Sequence, residues 1–522
     1  MSQLRCILVG LHTLLVCGIN AQQTTLPLQR HWCIEAERIA LANDSTPIHL
    51  GEKPYAAKAI TGNQEITWAS PTRKFSKVGA KLLRDHAVDV KGTDYRITAD
   101  PLFDITAGRD FGSWGKLSNE TIIFNQRGIQ LMGNIGSKFS FHSAFYETQT
   151  LAPYYMRRIH DDIGVYPSYG RTKAFKQDGY DFAMAASLLT YAPARFITLQ
   201  VGQGRQFYGH GYRSLLWSDA AFVYPFAKIS LTSKNGKLKY STLYAELRTL
   251  ERLPKGEVPE SIFKPKSASV NYLSYSPSQR IEIGLFESTI WNRYDSLGTH
   301  APSAWAAAPI IGLHSSVVGL NALENSMLGL NLRIRITHKL SLYGQLAADE
   351  FKADRLGFQG GLHLYDCLIK GLHLQAEYNS TSDYFYASSY ELQTVSHNNQ
   401  PMGHPGGSAV KEQYLIIDYH RNRLLIELRG NRLTQSNGPS GDYTANPDEI
   451  FQPFMAWSAR TLYQCQGELS WILQPATCTS LSLGCTLRKE LNHYSFVPST
   501  KDETCYIWLG VRSHLFNSYS DF

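Results

Sequence analysis

The 522-residue chain is expected to be all-β: a large antiparallel outer-membrane β-barrel with a small helical or irregular N-terminal segment on the periplasmic side. Three features predict this class. Strand-period alternation recurs over much of the chain. An export signal stands at its start. After that signal, no apolar run reaches the roughly 18 residues that a membrane helix needs.

The alternation is clearest in "SMLGLNLRIRITHKLSLYGQLAADEF". Leu328, Leu330, Leu332, Ile334 and Ile336 share one parity; Gly329, Asn331, Arg333, Arg335 and Thr337 share the other. After a turn at His338-Lys339 the pattern resumes, with Leu340, Leu342, Leu346 and Ala348 set against Ser341, Tyr343, Gln345 and Asp349. Successive strand side chains point to opposite faces, so one face is greasy and the other polar. Leu356, Phe358, Leu362 and Leu364 repeat the pattern against Gln359 and His363. Leu372, Leu374, Ala376 and Tyr378 do so against His373, Gln375, Glu377 and Asn379. Phe182, Met184, Ala186 and Leu188 alternate, as do Ile197, Leu199 and Val201, and Ile507, Leu509 and Val511. A soluble sandwich also alternates. Repetition, strand length and export together favour a barrel with its apolar face toward lipid.

Residues 1–21 read as a secretory signal: Arg5, the apolar run "CILVGLHTLLVCGI", and the small residue Ala21 before polar sequence. Cys17 is preceded by Val16, which suits lipidation poorly. Residues 22–93 lack the alternation and form the periplasmic segment, with a short amphipathic helix over Cys33–Asn43, a loop at "STPIHLGEKPY" and a helical piece in "SKVGAKLLRDHAV". Residues 94–522 form the barrel. At roughly 20–25 residues per strand and connection they allow about 16 to 20 strands. Six cysteines remain after cleavage; Cys465, Cys485 and Cys505 are evenly spaced and read as small apolar residues facing lipid.

"GRQFYGHGYRSLLWSD", from Gly204 to Asp219, fits neither a helix nor a strand period. It lies between the strand "RFITLQVGQ" and a second one at "YPFAKISLTS", so it is a connection. Glycines permit its bends, and a barrel interior offers water or partners to its charges. Two readings stand. Arg205, His210, Tyr212, Arg213 and Asp219 form either a lumen constriction or a glycan-contact surface. In the second, Tyr208 and Tyr212 cover sugar faces while Arg213 and Asp219 hydrogen-bond; in the first, Arg213 and Asp219 pin the loop to the wall. Arg333, Arg335 and Glu377 join these candidates from the wall, with Glu377 expected to pair with Arg333 or Arg335. Asp349-Glu350 reads as a solvent-facing strand end and His404 as a turn residue.

Other chemistry is not signalled. The stretch has no Rossmann context and no Gly-Lys-Ser/Thr, and the chain has no Gly-x-Ser-x-Gly elbow and no zinc-type spacing. No catalytic, metal or cofactor site is expected. A net charge of +7 without a basic run does not argue for nucleic acid.

The stretch "VGQGRQFYGHGYRSLLWSDAAFVYPF" resembles the Wzi-like outer-membrane proteins. "RIEIGLFESTIW", "LYGQLAADEF", "LHLQAEYNSTSDYFYA" and "GHPGGSAVKEQ" follow it in an order like that of the gliding-motility, RemB-type branch, and with the earlier "HLGEKPY" and "NQRGIQLMGNIGSKFSF" the resemblance covers most of the mature chain. The resemblance implies a barrel of about 18 strands, a small helical periplasmic part, and a surface role in holding capsular polysaccharide or in motility. The capsule-assembly pattern has a Trp-Gly-Pro-Gly-like turn where this chain has Tyr208-Gly209-His210-Gly211. The expected function is therefore to bind or organise surface polysaccharide, with outer-membrane lipid and glycan as partners. The alternatives are a motility- or secretion-linked protein working through protein partners, and a diffusion porin.

Overall fold

Alternating runs leave each strand one face for hydrocarbon and one for the interior, and closing the sheet removes the unpaired edges that lipid could not satisfy. The computed structural model describes residues 25–522 apart from 43–46, 63–65, 67, 69–74, 114–119, 254–262, 296–297, 300–303, 318–323, 351, 353, 437–457, 495–497 and 514–515. The signal expected over residues 1–21 lies outside the described residues.

Eighteen antiparallel strands close the barrel. In chain order they are β1 (Tyr95–Asp110), β2 (Thr121–Ile135), β3 (Phe139–Leu151), β4 (Gly179–Ala194), β5 (Ile197–Gly204), β6 (Tyr224–Thr232), β7 (Leu238–Arg252), β8 (Phe263–Ser278) and β9 (Ile281–Asn292). There follow β10 (Asn325–Arg335), β11 (Leu340–Asp349), β12 (Leu356–Tyr365), β13 (Leu372–Thr381), β14 (Val410–Arg421), β15 (Leu424–Ser436), β16 (Ser458–Gln474), β17 (Thr479–Tyr494) and β18 (Thr500–Ser513). Each pairs with its neighbour in sequence, and β18 returns to β1 with Leu509 opposite Ala107. Connections at one end are short turns; those at the other are mostly long, the usual periplasmic and extracellular asymmetry.

Parity in the β10–β13 wall follows the expected pattern. Leu330, Leu342, Leu346, Phe358 and Tyr378 are exposed on the outside, while Asn331, Gln345, Gln359 and Asn379 are buried inside. Cys465 is exposed on the outer face, Cys485 and Cys505 are half-buried there, and all three are free thiols. Strand β4 reverses the expectation. Phe182 and Met184 point inward, and it is Leu189 and Tyr191 that meet the outside. The cause is an apolar filling: Tyr166, stacked on Phe182 at 4.9 Å, and Tyr169 occupy the interior there.

The N-terminal segment enters the barrel mouth. Helix α1 (Arg30–Ala42) begins where Gln29 Oε1 accepts the His31 and Trp32 N–H groups, relieving two of the donors a helix start leaves open. Trp32, Cys33, Ile34, Ala36, Glu37, Ala40 and Leu41 are all buried, the all-round burial of a helix enclosed by protein. Two short helices follow, α2 (Ala57–Thr61) and α3 (Lys77–Leu83). A further helix, α4 (Tyr154–Ile163), sits in the β3–β4 connection.

Candidate functional site

Everything from Arg205 to Ala221 is buried. The connection enters from the long-loop end and runs down the lumen until it meets the N-terminal segment. There Glu52 and Lys53 pair antiparallel with Tyr208 and Phe207, and Gly209 N–H donates to Gly51 O at 2.9 Å. Gly209 has φ +154, and a Cβ on it would lie 2.4 Å from Gln345 Nε2. A Cβ on Gly211 would lie 2.4 Å from Glu377 Oε2. These glycines allow the backbone to press against wall side chains. The descent is greasy on one side: Tyr208, Leu215, Leu216 and Trp217 pack on Leu243, Val270, Tyr272 and Phe286 of β7–β9.

The other side is ionic, and it gathers three distant parts of the chain. Arg213 donates from Nε and Nη2 to the two carboxylate oxygens of Glu412 at 3.1 and 2.9 Å, and from Nη1 to Asp521 Oδ1 at 2.9 Å. Its guanidinium lies 4.9, 5.2 and 5.6 Å from the rings of Tyr212, Tyr414 and Tyr519. The planar fork suits two carboxylates and three aromatic faces at once. Asp219 accepts from Tyr519 OH at 2.7 Å and Asn517 Nδ2 at 2.9 Å. Arg205 donates to the carbonyls of Asn517 and Ser168. The tail after β18 therefore folds back into the lumen.

Wall residues complete the junction. Glu377 does not pair with Arg333 or Arg335. It accepts the Tyr212 and Arg213 N–H groups at 2.7 and 3.1 Å, and Tyr343 OH at 2.8 Å, because the loop's unpaired amides lie nearer than either arginine. Arg333 Nε is 3.5 Å from Glu282 Oε2, and Glu282 accepts the Leu50 and Gly51 N–H groups at 2.9 Å each. Arg335 donates to Leu41 O at 3.0 Å and to Gln279. Asp349, expected in solvent, is buried and accepts the Tyr386 N–H. His404 does stand in a turn, but it is buried with Nε2 2.9 Å from Glu412. The eight candidate side chains are thus all inside; six hydrogen-bond to protein, while His210 Nε2 and the Arg333 guanidinium face Glu282 without a hydrogen bond.

Burial shapes the charges of the inserted segments. His210 is almost fully buried with Nε2 3.9 Å from Glu282, and desolvation outweighs that carboxylate, lowering its pKa to about 4. Burial alone would raise the Glu37 carboxyl, but Lys53 at 3.2 Å, together with His363 and the hydroxyls of Tyr55 and Tyr365, holds it well below the usual range. Glu52 is likewise held down, against its burial, by Lys228 and Lys239 at 2.6 Å each.

Several members were not singled out in the sequence. Glu282, Glu412 and Asp418 carried a usable signal, being acids at inward parity on strands. Asp521 carried none, since it lies past the last strand. Arg30 lies among Asp418 at 2.6 Å and Glu427 at 3.7 Å. His31, Asp418 and Glu427 bring ligand atoms within 4.8 Å of one another, and the Arg30 guanidinium supplies the positive charge in that cluster. Beside the tail a cavity of about 170 Å³ remains, lined by Tyr155, Tyr169, Tyr506 and Trp508 with Asp104 and Arg512 among its charged groups.

This architecture defines a class: an outer-membrane-type, 18-strand β-barrel whose lumen is filled by its own segments. It shares the fold of Wzi from Escherichia coli, an outer-membrane carbohydrate-binding β-barrel involved in group 1 capsule assembly. The TM-score is 0.57 at 13% identity, over 95% of this chain and 100% of that one. A BenF-like porin from Pseudomonas fluorescens Pf-5 aligns at TM-score 0.42 and 9% identity, over 82% of this chain and 100% of that one. OpdQ of Pseudomonas aeruginosa aligns at 0.40 and 10%, over 80% and 96%. No family model matches the sequence, and neither does any curated protein.

Proposed function

We propose that this protein is exported through its N-terminal signal to the outer membrane and binds or organises surface polysaccharide there, without passing solutes. The observation that carries this reading is the buried junction of the Arg205–Asp219 stretch with the N-terminal segment and the C-terminal tail. Three segments far apart in sequence converge on the lumen, where Arg213, Asp219 and Glu377 engage every charged atom with protein partners. A diffusion channel needs water there instead. The likeness to Wzi supports the barrel and brings carbohydrate into the reading.

The eight candidate residues act in this scheme as the constriction. The sugar-facing chemistry belongs to surfaces left open beside them, of which the Tyr506–Trp508 cavity is one. It joins aromatic faces to carboxylates and a guanidinium, the combination that orients small polar ligands, at a size for one ring rather than a chain.

A strain lacking the protein tests the role, with surface polysaccharide retention as the readout. Shedding of glycan supports the proposal. Retained glycan with lost surface motility or secretion supports action through protein partners. Purified protein in a planar bilayer tests the closed lumen: absence of steady conductance is expected, and porin-like steps would overturn it.

A further inference from the structure

In their half nearer the long loops, strands β7 to β9 invert the barrel's chemistry. Their inward residues are Leu243, Ala245, Val270, Phe286 and Ile290, packed on the lumen filling. Their outward residues include Thr242, Ser269, Asn271, Glu287 and Thr289, and each is buried, at 5% exposure or less. The pairing register carries this polar patch straight into the lipid-facing belt. Leu199 pairs with Ile229, Ile229 with Thr242, Thr242 with Asn271, Asn271 with Glu287, and Glu287 with Leu328. Leu199 and Ile229 are 36% and 46% exposed on the outer face. Side chains that would meet hydrocarbon in this row are polar, and something covers them.

The cover is residues 304–317, from the β9–β10 connection. Ser269 Oγ, Tyr244 OH, Asn271 Nδ2 and Tyr240 OH donate in turn to the carbonyls of Ala306, Ala307, Ala308 and Pro309, at 2.6, 2.7, 3.1 and 2.8 Å. The Trp305 and Ile310 carbonyls accept N–H groups within the segment, and Gly312 N–H donates to Glu287. Six consecutive carbonyls therefore have donors. A loop in water has no need of this. Irregular backbone at membrane depth does, because hydrocarbon offers no partner. The sequence agrees: no Asp, Glu, Lys or Arg occurs from His300 to Leu323. Trp305 and Ile310 point away from the wall, at 49% and 55% exposure.

We propose that residues 304–317 form an intramembrane flap on the outer wall of the barrel, with Trp305 and Ile310 in contact with lipid acyl chains. The flap replaces the aliphatic surface that the inverted stretch of β7–β9 lacks, and that inversion is what lets those strands give an apolar face to the lumen filling. The proposal rests on the outer-membrane reading.

Tryptophan emission of wild type and Trp305→Phe, both reconstituted in vesicles of phosphatidylcholine brominated on its acyl chains, tests it. The component lost in the variant should be quenched at least two-fold by the brominated lipid and little by aqueous iodide. Quenching by iodide instead, or by neither, overturns the flap; the last outcome means that protein, such as a second copy, covers the site. Ile310→Arg gives a second readout, expected to lower several-fold the heat-modifiable barrel recovered from the outer membrane while Ile310→Leu does not. Equal yields reject the flap. Membrane fractionation of the wild type separates the two proposals: a barrel that fractionates with the outer membrane but fails the quenching test loses only the flap, whereas a soluble protein loses both.

Discussion

Arg213 holds the junction through two buried carboxylates, and removing one side of such a pair leaves the other side charged and unpaired. Arg213→Met should therefore weaken docking of the loop by roughly 3–5 kcal/mol, read as faster hydrogen exchange of the Tyr212 and Arg213 amides, with the barrel wall unaffected. Arg213→Lys should rescue little, since an ammonium cannot donate to Glu412 and Asp521 in a planar fork. His210 sets a pH dependence. Its pKa is about 4 when docked, against 6.5 for the ordinary group. Between those values the undocked loop binds the proton that the docked loop refuses. Docking is thus strongest above pH 6.5 and weakens as pH falls toward 4, by about 2–3 kcal/mol at pH 4.5. The lowered carboxyls of Glu37 and Glu52 push the same way at still lower pH. His210→Asn should flatten the slope between pH 6.5 and 4; an unchanged slope would assign it to other groups.

At the scale of elements, strand parity was legible wherever the interior is polar. In β10 the sequence alone orients Leu330, Asn331 and Arg333, because hydrocarbon and the ionic lumen demand opposite side chains. Leu332→Arg should cost about 2–4 kcal/mol at mid-membrane depth, measured by urea titration in lipid vesicles. Arg333→Gln, with its guanidinium buried beside Glu282, should spare the wall but loosen Leu50–Glu52 by about 1–3 kcal/mol, visible as proteolysis of the N-terminal segment. Parity was not legible in β4, where Phe182 and Met184 face inward. An apolar row looks the same whether it meets lipid or a packed tyrosine cluster. Helix α1 was legible from its apolar spacing, but not its enclosure, since no local pattern shows that Asp418, Lys53 and Tyr365 surround Arg30 and Glu37.

For the whole molecule, the sequence conveys a barrel and an odd connection, but not that segments of the chain fill the lumen. That filling depends on contacts such as Arg213 with Asp521, 308 positions apart, which no local pattern encodes. Removing residues 205–221 in favour of a short turn should leave a wall that still shows heat-modifiable migration and now conducts ions in planar bilayers. A silent barrel would mean that the N-terminal segment closes it alone. The returning tail also ties the lumen filling to the seam of the barrel. Asp521 follows β18, the strand that seals the seam against β1, so Arg213 keeps an incomplete set of counter-charges until the segment after β18 folds back into the lumen. Asp521 thus works as a keystone for the lumen filling rather than for the wall. A barrel lacking residues 517–522 should still close, yet keep a loosely held, protease-sensitive interior.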